Sequence, residues 1–133
     1  MATRSVEDCL EAIYNLIRDK GYARICDIST VLGIRPPSVT EMVQRLEKES
    51  LIRYERYRQV ELTSKGKRLA RSVTHRHRIL TEFLKMLGVS SRIAEIDACK
   101  MEHCLHPETM GKLSKLVEYY CKTGKLHDAL KKS

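Results

Sequence analysis

The densest group of metal-ligand residue types in this 133-residue chain is Cys99-Lys100-Met101-Glu102-His103. On a helix, residues three and four apart share a face, so the Cys99 thiol, the Glu102 carboxylate and the His103 imidazole can converge on one point. Asp8 and Glu11 repeat the three-residue spacing near the N-terminus, and His77 adds an imidazole in mid-chain. A thiolate, carboxylates and imidazoles suit a divalent first-row transition metal, with the thiolate turning the set away from magnesium and calcium. Spacing alone is a weak signal, because helices often carry these residue types on solvated faces. The same residues admit a second chemistry, a metallohydrolase with Glu102 as general base. The pattern shows no α/β scaffold or oxyanion-forming loop, and so large a ligand set leaves little room for substrate. The chain therefore reads as not an enzyme.

Several short elements must position these groups. Val6, Leu10, Ile13, Tyr14 and Ile17 recur at helical spacing after Ser5, which predicts a first helix running to about Lys20 and stopping at Gly21. A short helix around Cys26 to Leu32, Gly33 as the turn residue, and a third helix opening at Pro36-Pro37 complete a helix-turn-helix pattern. Val39, Met42, Val43 and Leu46 face inward, leaving Arg35, Ser38, Thr40, Glu41, Gln44, Arg45 and Lys48 outward. Beyond Leu51-Ile52 the period changes to alternation as far as Leu62, which predicts a β-hairpin wing with Arg56-Tyr57-Arg58 near its tip. Thr63 or Ser64 then caps a long helix to about Leu87, stopped by Gly88. Two further helices are expected, about Ser91 to Leu105 and about Pro107 to Cys121, with Lys125 to Lys131 as a possible short last one. Ile93, Ile96, Met101, Met110, Leu113, Leu116, Val117 and Tyr120 form a stripe with little in the monomer to cover it, and a symmetric dimer would bury it. The fold expected is mainly α: an N-terminal winged helix-turn-helix over 1–63, then a long connecting helix and an all-helical metal-binding and dimerisation domain over 64–133.

The charge distribution agrees with that division. From Arg35 to Arg78 there are 12 Lys/Arg and 5 Asp/Glu, so 12 − 5 = +7 of the formal net charge of +8 lies in that stretch. Clustered basic charge is the footprint of a protein that neutralises phosphates, although a merely solvated basic surface would look the same by count. No run of about 18 apolar residues and no apolar signal core is present, which argues against a membrane partner and places the chain in the cytoplasm. Five cysteines without framework spacing fit a reducing compartment. Of these, Cys9, Cys26 and Cys121 read as small apolar fillers, and Cys104 points to a different helix face from Cys99. His75 reads as a surface or DNA-facing residue and His106 as a helix-cap residue. Tyr54 and Tyr57 pack the hairpin or, near its tip, reach a phosphate.

With these residues in view the chain resembles the diphtheria-toxin-repressor family, in its short manganese-regulator type without the C-terminal SH3-like domain. The resemblance runs in order through Glu7-Asp8 with Glu11, Ile13 and Tyr14, then Lys20-Gly21-Tyr22-Ala23-Arg24, Ser38-Val39-Thr40 and Tyr54-Glu55-Arg56-Tyr57-Arg58. It continues through Leu62-Thr63-Ser64-Lys65-Gly66-Lys67, Arg76-His77, Phe83-Leu84 and Glu102-His103, covering nearly the whole chain. It implies metal ligands at Asp8, Glu11, His77, Glu102 and His103. Cys99 departs from the manganese-regulator pattern, which has a bridging glutamate there, and resembles the iron-responsive branch. Asp8 departs in turn from that branch, which usually carries methionine. The resemblance leads to an expected homodimeric repressor of metal-homeostasis genes, with Fe(II) or Mn(II) as corepressor and Co(II) or Zn(II) as substitutes in vitro.

Double-stranded DNA with a roughly palindromic operator is the expected partner. Arg35, Pro37, Ser38, Thr40, Glu41 and Gln44 are candidates for base readout, and Arg45, Lys48, Arg56, Arg58 and Lys65 for phosphate contact. The alternative is a winged-helix regulator that senses oxidation or a small ligand through Cys99.

Overall fold

The computed structural model describes residues 4–55 and 59–123. Among them, six helices and one two-stranded sheet follow in the order α1 (Arg4–Lys20), α2 (Ile25–Leu32), α3 (Pro36–Lys48), β1 (Ile52–Tyr54), β2 (Val60–Leu62), α4 (Ser64–Met86), α5 (Ser91–Met101) and α6 (Pro107–Thr123). They fall into two compact units, Met1–Val73 and Thr74–Ser133, which divide inside α4. Leu69 and Ala70, in the first part of α4, pack into the core of the first unit.

In the first unit α1 buries Val6, Cys9, Leu10, Ile13 and Leu16, the stripe expected of a one-sided helix. At the start of α2, Asp27 accepts from the free backbone N–H of Arg24 at 3.3 Å and pairs with Lys20 at 3.4 Å. Gly33 ends α2 with φ 68°, a left-handed conformation that a side chain would strain. The chain can therefore turn sharply into α3, where two prolines occupy the first turn and Val39, Val43 and Leu46 are fully buried.

Ser50 repeats this stop at φ 62°, with the Leu51 N–H donating to Leu46 O at 3.0 Å. β1 and β2 pair antiparallel, Ile52 opposite Leu62 and Tyr54 opposite Val60. Ile52 and Val60 point into the core while Arg53 and Glu61 are exposed, so the predicted alternation is that of a half-buried hairpin. The Val60 N–H also donates to Ala23 O at 2.8 Å, tying the wing to the segment before α2. Thr63 is the cap of α4: its hydroxyl oxygen accepts from the Gly66 N–H at 3.1 Å and its hydroxyl donates to Ser50 O at 2.6 Å.

The second unit packs residues 74–86 of α4 with α5 and α6 around Ile79, Leu80, Leu84, Ala94, Ala98, Met110 and Val117. Two expectations need correction. First, Met110 and Val117 belong to this unit's own core, while Ile93, Ile96 and Leu116 remain exposed, so the apolar stripe is partly self-covered. Second, α5 ends at Met101 instead of about Leu105. Pro107 disfavours helical geometry at the residue before it, and the chain tightens beforehand, with the Cys104 N–H donating to Met101 O at 3.0 Å. Glu102 is thus the helix C-cap, still in right-handed geometry, and His103 lies in the turn beyond.

Candidate metal centre and nucleic-acid interface

In the second unit, α4 and α5 bring His77, Glu102 and His103 together. The Glu102 side chain is 0% exposed, which makes it and Thr81 the buried polar residues of the described chain. Its Oε2 lies 2.8 Å from His77 Nδ1, and its Oε1 lies 3.3 Å from His103 Nε2. Oε1 has no hydrogen-bond partner among the described residues. A buried carboxylate is costly unless compensated by hydrogen bonds or positive charge. Here two imidazoles stand against it and one oxygen is left with an unused acceptor position. That donor set fits a divalent cation, for which imidazole nitrogen and carboxylate oxygen are ordinary ligands.

The remaining candidates are placed as follows. Cys99 is half-buried in the last turn of α5. Among the described residues it joins no group of three or more His, Cys, Asp or Glu whose ligand atoms all lie within 4.8 Å of one another. The end of α5 at Met101 takes Glu102 and His103 out of the continuous helix on which their convergence with Cys99 was expected. In the first unit Asp8 and Glu11 are half-buried, one turn apart on α1, and Arg4 Nε is 3.9 Å from Asp8. Cys9 between them is fully buried, and burial together with the neighbouring Asp8 charge pushes its thiol up to about 12. It is an apolar filler.

Sequence reasoning missed one residue. Glu95, on α5, places Oε2 2.7 Å from His77 Nε2, so both ring nitrogens of His77 face carboxylates. The signal was present in the spacing: Glu95 lies seven residues before Glu102, about two helical turns, on the helix that Glu102 caps.

On the first unit, Arg35, Pro37, Ser38, Glu41, Gln44, Arg45 and Lys48 are all exposed. Thr40 is half-buried, and its hydroxyl donates to Pro36 O at 3.1 Å. Lys65 Nζ donates to Glu49 O at 3.2 Å, at the end of α3. Arg56 and Arg58 lie outside the described residues. An exposed polar face on the second helix of a helix-turn-helix, followed by a wing, is the arrangement that enters a major groove.

A winged helix-turn-helix followed by a helical unit with a buried carboxylate between imidazoles defines a class, the DNA-binding regulators that answer to a metal ion. The comparisons carry this further. Residues 1–60 match the iron dependent repressor N-terminal DNA binding domain, and residues 63–125 match the iron dependent repressor metal binding and dimerisation domain. The HTH-type transcriptional regulator MntR of Bacillus subtilis (strain 168) is 42% identical over 120 residues, covering 90% of this chain and 84% of that protein. MntR of Geobacillus thermodenitrificans (strain NG80-2) is 40% identical over 131 residues, covering 98% and 93%. Among solved structures, the manganese regulator SloR superposes with a TM-score of 0.74 at 28% identity over 90% of this chain, which spans 55% of SloR.

The chain belongs to the diphtheria-toxin-repressor family of metal-dependent transcription regulators, in its short MntR-like branch. These relatives are DNA-binding regulators, not enzymes, and they support metal dependence over thiol sensing by Cys99. Among the described residues no helix is long and apolar enough to cross a membrane.

Proposed function

We propose that the chain is a cytoplasmic, homodimeric repressor of genes for metal-ion uptake or efflux, with Mn(II) or Fe(II) as corepressor. The observation that carries this reading is Glu102, a fully buried carboxylate with one oxygen facing His77 and the other without a hydrogen bond among the described residues. His77, Glu102 and His103 would form the imidazole and carboxylate core of the metal set. Asp8 and Glu11 would add hard carboxylates, and Cys99 is the candidate thiolate. The ion would supply a positive charge beside the buried carboxylate.

Regulation follows by linkage. If the metal binds the DNA-competent arrangement more tightly, it shifts the population toward that arrangement. In a symmetric dimer the two α3 helices would occupy major grooves about one turn of DNA apart, or a multiple of it, on a roughly palindromic operator. Arg35, Pro37, Ser38, Thr40, Glu41 and Gln44 are proposed for base readout, and Arg45, Lys48, Arg56, Arg58 and Lys65 for phosphate. Of these, Lys65 and Thr40 are partly committed to backbone carbonyls and are the weakest candidates.

Fluorescence anisotropy with an operator fragment tests the mechanism. Binding should be weak in chelator and recover when Mn(II) or anaerobic Fe(II) is added. Equal affinity in both conditions would remove the metal from the mechanism. Cys99→Glu should improve the Mn(II) response and raise manganese stoichiometry toward two per chain, because a hard carboxylate suits manganese better than a thiolate.

A further inference from the structure

The His77 ring lies between two carboxylates that differ sharply in environment. Nδ1 faces Glu102 at 2.8 Å, with a side chain that is 0% exposed; Nε2 faces Glu95 at 2.7 Å, with a side chain that is 60% exposed. Beside the Nδ1 contact, Glu102 Oε1 has no hydrogen-bond partner among the described residues, and His103 Nε2 stands 3.3 Å from it. On the Nε2 side stands the solvent-edge carboxylate of Glu95.

A neutral imidazole has one N–H and one lone pair, so it cannot serve as ligand and donor through the same nitrogen. Whatever holds the proton on Nε2 makes Nδ1 the coordinating atom. A carboxylate that accepts from the second ring nitrogen of a metal-binding histidine fixes the tautomer, holds the ring plane and raises the basicity of the ligating nitrogen.

We propose that Glu95 is a positioning residue of the metal centre: it accepts the His77 Nε2–H and so directs the Nδ1 lone pair to the ion shared with Glu102. This rests on the metal-dependent reading above and adds to it a residue outside the expected ligand set. Three features select Glu95 for the task. It lies on α5, seven residues before Glu102, the C-cap of that helix, so the helix and its cap hold both edges of the ring. Its 2.7 Å contact is short enough for a charge-assisted hydrogen bond. Its 60% exposure places it at the solvent edge, away from the buried Glu102 carboxylate on the other side of the ring.

The test compares the full-length wild type with Glu95→Gln and Glu95→Ala. Mn(II) affinity is measured by anaerobic competition titration, bound metal by elemental analysis, and the ring N–H signals by NMR on histidine-labelled, Zn(II)-loaded protein. The wild type should show a slowly exchanging Nε2–H for His77. Glu95→Ala should weaken Mn(II) binding about tenfold, the low end for such partners because this one is exposed. It should also lose the slow Nε2–H signal and still bind the same number of ions per chain. Glu95→Gln, which keeps an acceptor oxygen without the charge, should retain the N–H signal and fall between the two.

Unchanged affinity and unchanged N–H exchange in both variants would overturn the proposal, leaving Glu95 a surface ion pair. Loss of one ion per chain would also overturn it, by making Glu95 a direct ligand. A wild type that binds no metal would overturn the parent reading, an outcome seen before any variant is compared.

Discussion

Gly66, in the first turn of α4, is the position where a single methyl group should do most damage. A Cβ built there would lie 1.9 Å from Leu51 O and 2.9 Å from Leu51 C, with Leu62 Cδ2 at 3.3 Å. Carbon contacts are normally about 3.5 Å or more, so either the start of the helix or the Leu51 carbonyl must move on the order of 1 Å. Neither is free to move. Leu51 O accepts from the Thr63 N–H at 3.1 Å, while the Thr63 side chain caps Gly66 and bonds Ser50 O. Replacing glycine by alanine within a helix favours folding by about 1 kcal/mol. Against that stand overpacking at about 1–3 kcal/mol, loss of the cap at about 1 and a strained backbone hydrogen bond at about 1. The net expectation for Gly66→Ala is about 3 kcal/mol of destabilisation, or a fall of roughly 1–2 M in the urea midpoint. Gly111, on α6, has nothing within 4 Å of its would-be Cβ, so Gly111→Ala should raise the midpoint slightly. Both are measured by circular dichroism in chelator, so that metal binding does not mask the difference. Because Leu51 leads directly into β1, Gly66→Ala should also weaken operator binding through the wing. An unchanged or raised midpoint for Gly66→Ala, with Gly111→Ala behaving alike, would refute the argument from close approach.

Three further outcomes are expected. Glu102→Gln should lower Mn(II) affinity by about a hundredfold or more in calorimetric titration, since an amide replaces the buried carboxyl group that faces His77, and an unchanged affinity would exclude Glu102 as a ligand. Lys48→Ala or Arg58→Ala should make log affinity for DNA less steep in log salt by about one counterion, whereas Gln44→Ala should relax preference at one base position. An arginine or lysine variant that changes sequence preference at constant salt slope would reverse these roles. Thiol labelling at pH 8 should modify the exposed Cys26, Cys104 and Cys121 and spare Cys9, which is buried with its thiol pushed up to about 12. The raised folded value means the Cys9 contribution to stability is intact below about pH 9 and is lost as pH climbs toward 12, so prompt labelling of Cys9 in folded protein would contradict its burial.

Helix period, the change to alternation at the wing, the turn glycines and the basic stretch are local properties of consecutive residues. For that reason the sequence by itself determined the winged helix-turn-helix and the helical second half, and it supplied the candidate ligands. The end of α5 is less legible, since the helix stops at Met101 where periodicity alone ran on to Leu105. What only the tertiary structure decided are pairings between residues distant along the chain. Glu95 and Glu102 stand 18 and 25 residues from His77, and both meet it because α4 and α5 contribute to one core. The burial of Glu102, the enclosure of Met110 and Val117 in their own unit and the contact of Gly66 with Leu51 arise in the same way. A periodic pattern reports which face of an element is apolar; which residue of another element comes to lie against that face is set by packing, to which every side chain at the contact contributes.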